Sequence, residues 1–135
     1  MSTKQSNSRA ECVDMLRDAR AASRPSLTEP EAKRLLSAWD ITTPAGQVLT
    51  DATSESLSRL EPLAFPLVVK VVSSEVLHKS DSGGVVLNLP DQPAVAQAIA
   101  QIQGRHEGIP VSGYLVEEMA PPGVELVIGG NVDAS

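Results

Sequence analysis

The sequence is expected to fold as an α+β domain: a mostly antiparallel sheet with helices on one face. Three features carry that expectation. Helix-forming segments come first, and strand-like runs interleaved with one further helix follow, an order that packs helices against an antiparallel sheet. The run Leu67-Val68-Val69-Lys70-Val71-Val72 is β-branched and apolar except for one lysine, as expected of a strand buried on both faces. Turn chemistry such as Ala120-Pro121-Pro122-Gly123 separates the later apolar runs.

Taken in order, residues 1–8 read as a disordered tail. Residues 9–22 read as a helix, with Cys12, Met15, Leu16 and Ala19 on one stripe. Ser23 to Leu27 breaks it. Thr28 then stands as an N-cap, and Glu31 three residues on completes a capping box. Leu35, Leu36, Ala38 and Trp39 supply that helix's apolar face, Asp40 ends it, and Ile41 to Pro44 is extended. A short strand over 47–50 and a short helix over 54–61 precede Pro62. Strands are expected at 67–72, 84–89, 114–119 and 124–130. A helix over 94–103 turns Val95, Ala98, Ile99 and Ile102 inward. The last strand runs almost to the C-terminus with nothing to cover its edge, so the sequence is expected to be part of a longer chain.

Composition narrows the function classes. The chain has 135 residues, with 41% hydrophobic and 21% charged content, which suits one globular domain with a modest core. Aromatics are limited to Trp39, Phe65 and Tyr114, so the core must be aliphatic. Cys12 is the single cysteine, which excludes an internal disulfide and fits a reducing, cytoplasmic setting. No apolar run is long enough to span a membrane, and no membrane partner is expected. The net charge of −6 is uneven. Residues 1–34 hold seven Lys/Arg against five Asp/Glu, and residues 35–135 hold four against twelve. Nucleic-acid binding is therefore not expected, because no basic face is available to neutralise phosphates. The four cations of the acidic part are Arg59, Lys70, Lys79 and Arg105.

One of those cations, Lys79, lies within the stretch His78-Lys79-Ser80-Asp81-Ser82-Gly83-Gly84, and Lys70 lies on the strand leading into it; the stretch does not read as plain scaffold. Lys70, inside an apolar strand, is either paired with a carboxylate or aimed into a cleft at a phosphate. Gly83-Gly84 is either a hairpin turn or a loop whose backbone N–H groups approach phosphate oxygens, with Lys79 adding a point charge. His78 is either a solvated loop histidine or a nucleophile and proton carrier. Glu117, Glu118 and Met119 close a strand, and Glu125 opens the next region. Strand-end carboxylates are usually solvated, yet a connection of this kind can bind adenine edge-on, with a following carboxylate accepting ribose hydroxyls.

The strings "PLVVKVVSSEVLHKSDSGGVVLNL" and "YLVEEMAPPGVELVIGGNVD" closely resemble the ATP-grasp domain of ADP-forming (NDP-forming) acyl-CoA synthetases. That family includes the acetate–CoA ligase β subunit and is related to succinyl-CoA synthetase. The upstream "LTEPEAKRLLSAWDITTP" resembles the family's first helix, with Asp40 where a glycine is usual; aspartate tolerates a left-handed backbone better than most residues. The resemblance covers residues 27–135 and implies a partial ATP-grasp domain there, its N-terminal lobe, with residues 1–26 as an N-terminal tail and helix. It implies interconversion of acyl-CoA, ADP and phosphate with acid, CoA and ATP through a phosphohistidine. Carried onto this chain, Lys70 holds the nucleotide phosphates and Lys79 with Gly83 and Gly84 lies over them. Glu117, Glu118 and Met119 make the adenine hinge, Glu125 binds ribose, and His78 is a phosphoryl acceptor. ATP or ADP and Mg²⁺ are the implied cofactors, with the Mg²⁺ ligands expected downstream of residue 135 and no metal ligand in this chain. The implied partners are a CoA-binding subunit or fused domain, an acyl-CoA and a carboxylic acid. Two other readings stay open: a non-catalytic nucleotide-binding or assembly module, and the ATP-grasp part of a protein acetyltransferase. On its own the chain is expected to be inactive.

Overall fold

A computed structural model describes residues 3–76 and 83–131. The elements are α1 (Thr3–Ala21), α2 (Glu29–Ala38), β1 (Gly46–Leu49), α3 (Ser54–Ser58), β2 (Leu67–Val72), β3 (Val85–Leu89), α4 (Gln92–Arg105) and β4 (Gly113–Glu118). The four strands form one sheet in the order β1-β4-β2-β3, and each neighbouring pair is antiparallel. The α+β class and the antiparallel sheet are those the sequence predicts. No helix among the described residues is long and apolar enough to cross a membrane.

Side chains alternate across β2, as the period of two requires. Leu67, Val69 and Val71 face α4, joined by Leu49, Leu89, Tyr114 and Val116 from the other strands. Val95, Ala98, Ile99 and Ile102 of α4 close over them, so the aliphatic core lies between α4 and this face. Leu57 and Leu60, in and just after α3, extend it at one side. The opposite face carries Val68, Lys70, Leu115 and Glu117, and α2 brings charged side chains to it.

Caps set the helix boundaries. The Glu31 carboxylate accepts from the Thr28 backbone N–H at 2.8 Å and from its hydroxyl at 2.9 Å, so the expected capping residues do meet. At the other end of α2, Asp40 has φ 60°. The N–H of Ile41 donates to the carbonyl of Leu36 at 3.0 Å and that of Asp40 to Ser37 at 3.1 Å, the Schellman closure that a left-handed residue permits. Asp91 caps α4 by accepting from the Ala94 N–H at 2.9 Å, and Pro93 fits the first turn, where no N–H is needed. The helix therefore starts at Gln92, two residues before the first residue the apolar pattern marks.

Two expectations are corrected. The tail over 1–8 is helical from Thr3, because α1 begins more than a turn before its apolar stripe does. Residues 124–130 form no strand, and Val124, Leu126, Val127 and Ile128 are 82–98% exposed. The expected pairing of this segment with β4 is blocked, since β1 and β2 already hold the two edges of β4. A smaller difference concerns α2, where Leu36 and Trp39 are exposed rather than inward and the Arg9 guanidinium lies 5.3 Å from the Trp39 ring centre.

Candidate functional site

Lys70 sits mid-strand on the charged face, with Leu115 of β4 on one side and Val85 of β3 on the other. Its Nζ donates to Glu117 Oε1 at 2.8 Å and to Glu29 Oε1 at 2.6 Å. Lys33 completes the group by pairing with Glu117 and, at 3.2 Å, with Glu29 one turn earlier on α2. Two lysines and two carboxylates thus form a closed ring of ion pairs. Burial opposes the Lys70 charge, but the hydrogen bonds to Glu117 and Glu29 outweigh it, and the ammonium is held above the ordinary lysine range. Glu117 is 3% exposed, whereas the side chains of the other three members are 21–26% exposed, so the ring opens to solvent on the α2 side.

Gly46 makes room for this arrangement. It stands directly opposite Glu117 in the β1–β4 register, and a Cβ there would come within 2.7 Å of the Glu117 Cβ. A groove of about 200 Å³ opens beside it between α2 and β1, lined in part by Pro30, Lys33, Val48, Leu115 and Glu117.

The structure brings Lys70 and Glu117 into direct contact, and the carboxylate-paired form of Lys70 is the one observed. Glu118 turns the other way, and its carboxylate accepts the Ala64 N–H at 2.8 Å. The Met119 N–H donates to Pro66 O at 3.4 Å, and its Sδ accepts from the Asn88 N–H at 3.2 Å, which ties the end of β4 to the entry of β2 and to β3. Gly84 continues the ladder by accepting from the Val71 N–H at 2.8 Å, and Gly83 has φ 70°, a conformation that favours glycine. Glu125 lies on the exposed segment after β4, apart from the ion-pair ring. His78 and Lys79 lie outside the described residues.

Glu29 and Lys33 are the members that sequence reasoning missed. Their i, i+4 spacing on a capped helix was readable, as was the need of Lys70 for a counter-charge. What no local pattern contains is that α2 meets β2 across 41 residues of sequence.

Fold and site define an α+β lobe that presents a charged lysine from an inner strand of an antiparallel sheet. The family model described as an ATP-grasp domain matches residues 18–135, and the chain belongs to that family. The β subunit of an ADP-forming acetate–CoA ligase I from Pyrococcus furiosus is 32% identical over 89% of this chain and 53% of its own length. An ADP-forming 4-hydroxybutyrate–CoA ligase from Nitrosopumilus maritimus is 28% identical over 97% of this chain, which corresponds to 19% of that protein. The chain therefore spans about half of one relative and a fifth of the other. Among solved structures, a dinucleotide forming acetyl-coenzyme A synthetase 1 from Ca. Korarchaeum cryptofilum superposes with a TM-score of 0.66 at 36% identity, covering 84% of this chain and 47% of that one. It holds coenzyme A and Mg-AMPPCP, with its phosphohistidine segment pointing towards the nucleotide binding site.

Proposed function

We propose that this chain supplies the nucleotide-binding portion of an ADP-forming acyl-CoA synthetase of the acetate–CoA ligase type. The whole enzyme interconverts acyl-CoA, ADP and phosphate with a carboxylic acid, CoA and ATP. The observation that carries the reading is Lys70, a lysine on an inner strand opposite Leu115 of β4, whose ammonium is held by Glu117 and Glu29. A lysine ammonium is suited to phosphate oxygens, which accept charge-assisted hydrogen bonds.

In this reading the unit is residues 27–135. Lys70 holds the nucleotide phosphates, and Lys79 with the Gly83-Gly84 backbone lies over them. Glu117, Glu118 and Met119 border the adenine, Glu125 accepts ribose hydroxyls, and His78 accepts a phosphoryl group passed between sites. A CoA-binding subunit or domain supplies the acyl-transfer half. Mg²⁺, when bound with the nucleotide, neutralises phosphate charge. Among the described residues no three His, Cys, Asp or Glu side chains gather as a metal site, so no step is assigned to a metal here.

The test is calorimetric titration of ADP and ATP, with Mg²⁺, into the chain and its Lys70→Ala variant. Lys70→Ala is expected to weaken binding by about 1.5–3 kcal/mol, the scale of a charge-assisted hydrogen bond. Absence of nucleotide binding, or equal affinity in the variant, overturns the reading.

A further inference from the structure

We propose that Glu29 is an exchangeable counter-ion for Lys70: its carboxylate stands where a nucleotide phosphate oxygen binds, and binding hands Glu29 over to Lys33. The inference rests on the nucleotide-binding reading above and adds to it the group that the nucleotide displaces. An ammonium has three N–H donors, and two of those on Lys70 are taken by Glu29 at 2.6 Å and Glu117 at 2.8 Å. Carboxylate and phosphate oxygens accept from an ammonium at similar distances, so either can fill such a position. A phosphate that came in without displacing a carboxylate would sit against two negative charges already compensated by the two lysines, and like charges in one site repel.

The two carboxylates are not equivalent. Glu117 is 3% exposed, is fixed on the strand next to β2 and is shared with Lys33. Expelling it would disrupt the sheet face and leave Lys33 without its inner partner. Glu29 lies in the first turn of α2, is 26% exposed on the open side of the ring, and keeps a second cation, Lys33, at 3.2 Å. Its departure from Lys70 therefore leaves no carboxylate stranded. Glu29 is carried on a helix by a side chain partly open to solvent, whereas Glu117 is buried on a strand held between β1 and β2.

The experiment compares ADP affinity in the chain and in Glu29→Gln, Glu29→Asp and Lys70→Ala, with lysine ammonium NMR signals recorded on the same samples. Glu29→Gln removes the competing charge and is expected to tighten ADP binding about threefold to tenfold, the range for relief of a partly exposed ion pair. Glu29→Asp keeps the charge on a shorter arm and is expected to fall between the chain and Glu29→Gln. ADP is expected to shift the Lys70 and Lys33 ammonium signals together. Unchanged or weaker binding in Glu29→Gln, alongside a clear loss in Lys70→Ala, overturns the exchange and leaves the nucleotide site standing. Equal affinity in Lys70→Ala defeats the nucleotide reading itself and the exchange with it.

Discussion

The two faces of the sheet are built from the same strands and obey opposite rules. On one face Leu67, Val69, Val71 and Val116 meet the aliphatic stripe of α4, and every one of these residues is at most 4% exposed. On the other, positions one residue away carry Lys70 and Glu117, whose charges are compensated by two side chains from α2. Removing apolar area from water stabilises the first face at about 25 cal/mol per Å². The second gains little by comparison, because buried ion pairs roughly balance their desolvation. One face makes the domain fold. The other spends fold stability on a geometry in which an ammonium is held charged and partly open to solvent.

That contrast predicts a graded set of effects. Ile102 is fully buried at the centre of the aliphatic face. Ile102→Ala is expected to cost about 3–4 kcal/mol in urea unfolding, through lost transfer energy and a residual cavity. Glu117→Gln is expected to cost less, about 2 kcal/mol, by leaving two lysines short of a carboxylate, with their open side to water limiting the loss. A Glu117→Gln cost equal to that of Ile102→Ala would break the division between the faces. A cost near zero would show that water already carries the ring.

The smallest effect lies away from both faces and sharpens the contrast by reporting a cap. Glu31 is held at about 2, from 4.5, by its hydrogen bond with Arg24 first, with burial opposing and Thr28 assisting. A carboxylate lowered on folding contributes stability in full above its unfolded value and loses it as pH falls through the folded one. The window is therefore pH 4.5 down to about 2. Asp51, also held at about 2 by Ser56 and Thr53, titrates in the same range, so the wild-type slope belongs to both. Glu31→Gln is expected to cost about 1 kcal/mol near neutral pH and to flatten the slope between pH 5 and pH 2, measured by urea unfolding at stepped pH.

Much of this architecture was readable from local pattern, and the larger failures come from contacts distant in sequence. The run 67–72 announced β2 to the residue, and Val95, Ala98, Ile99 and Ile102 gave the buried face of α4. Thr28 and Glu31 gave the start of α2, and Asp40 its left-handed end. Residues 124–130 have the composition of a strand, but a strand exists only by pairing, and no local pattern reveals that both edges of β4 are already taken. The site follows the same logic. Lys70 announced that it needed a partner or a ligand, and Glu117 stood out as a strand-end carboxylate. Their meeting depends on the β2–β4 register, and the contribution of Glu29 depends on where α2 docks.

The sheet order carries a last consequence, for the moment at which the molecule comes into being. β4 is the last strand in sequence among the described residues, yet it lies inside the sheet between β1 and β2. As synthesis proceeds from the N-terminus, the β2–β3 hairpin can close locally, but β1 has no neighbour until residues 113–118 emerge. Until then its edge and the bare side of β2 are open to pairing with other chains, the exposure that makes late-closing sheets prone to aggregate. Completion is then a single insertion that joins both halves at once and brings Glu117 up to a waiting Lys70. The ion-pair ring thus waits for β4, and a nascent chain stopped short of residue 113 has neither this four-stranded sheet nor the ring.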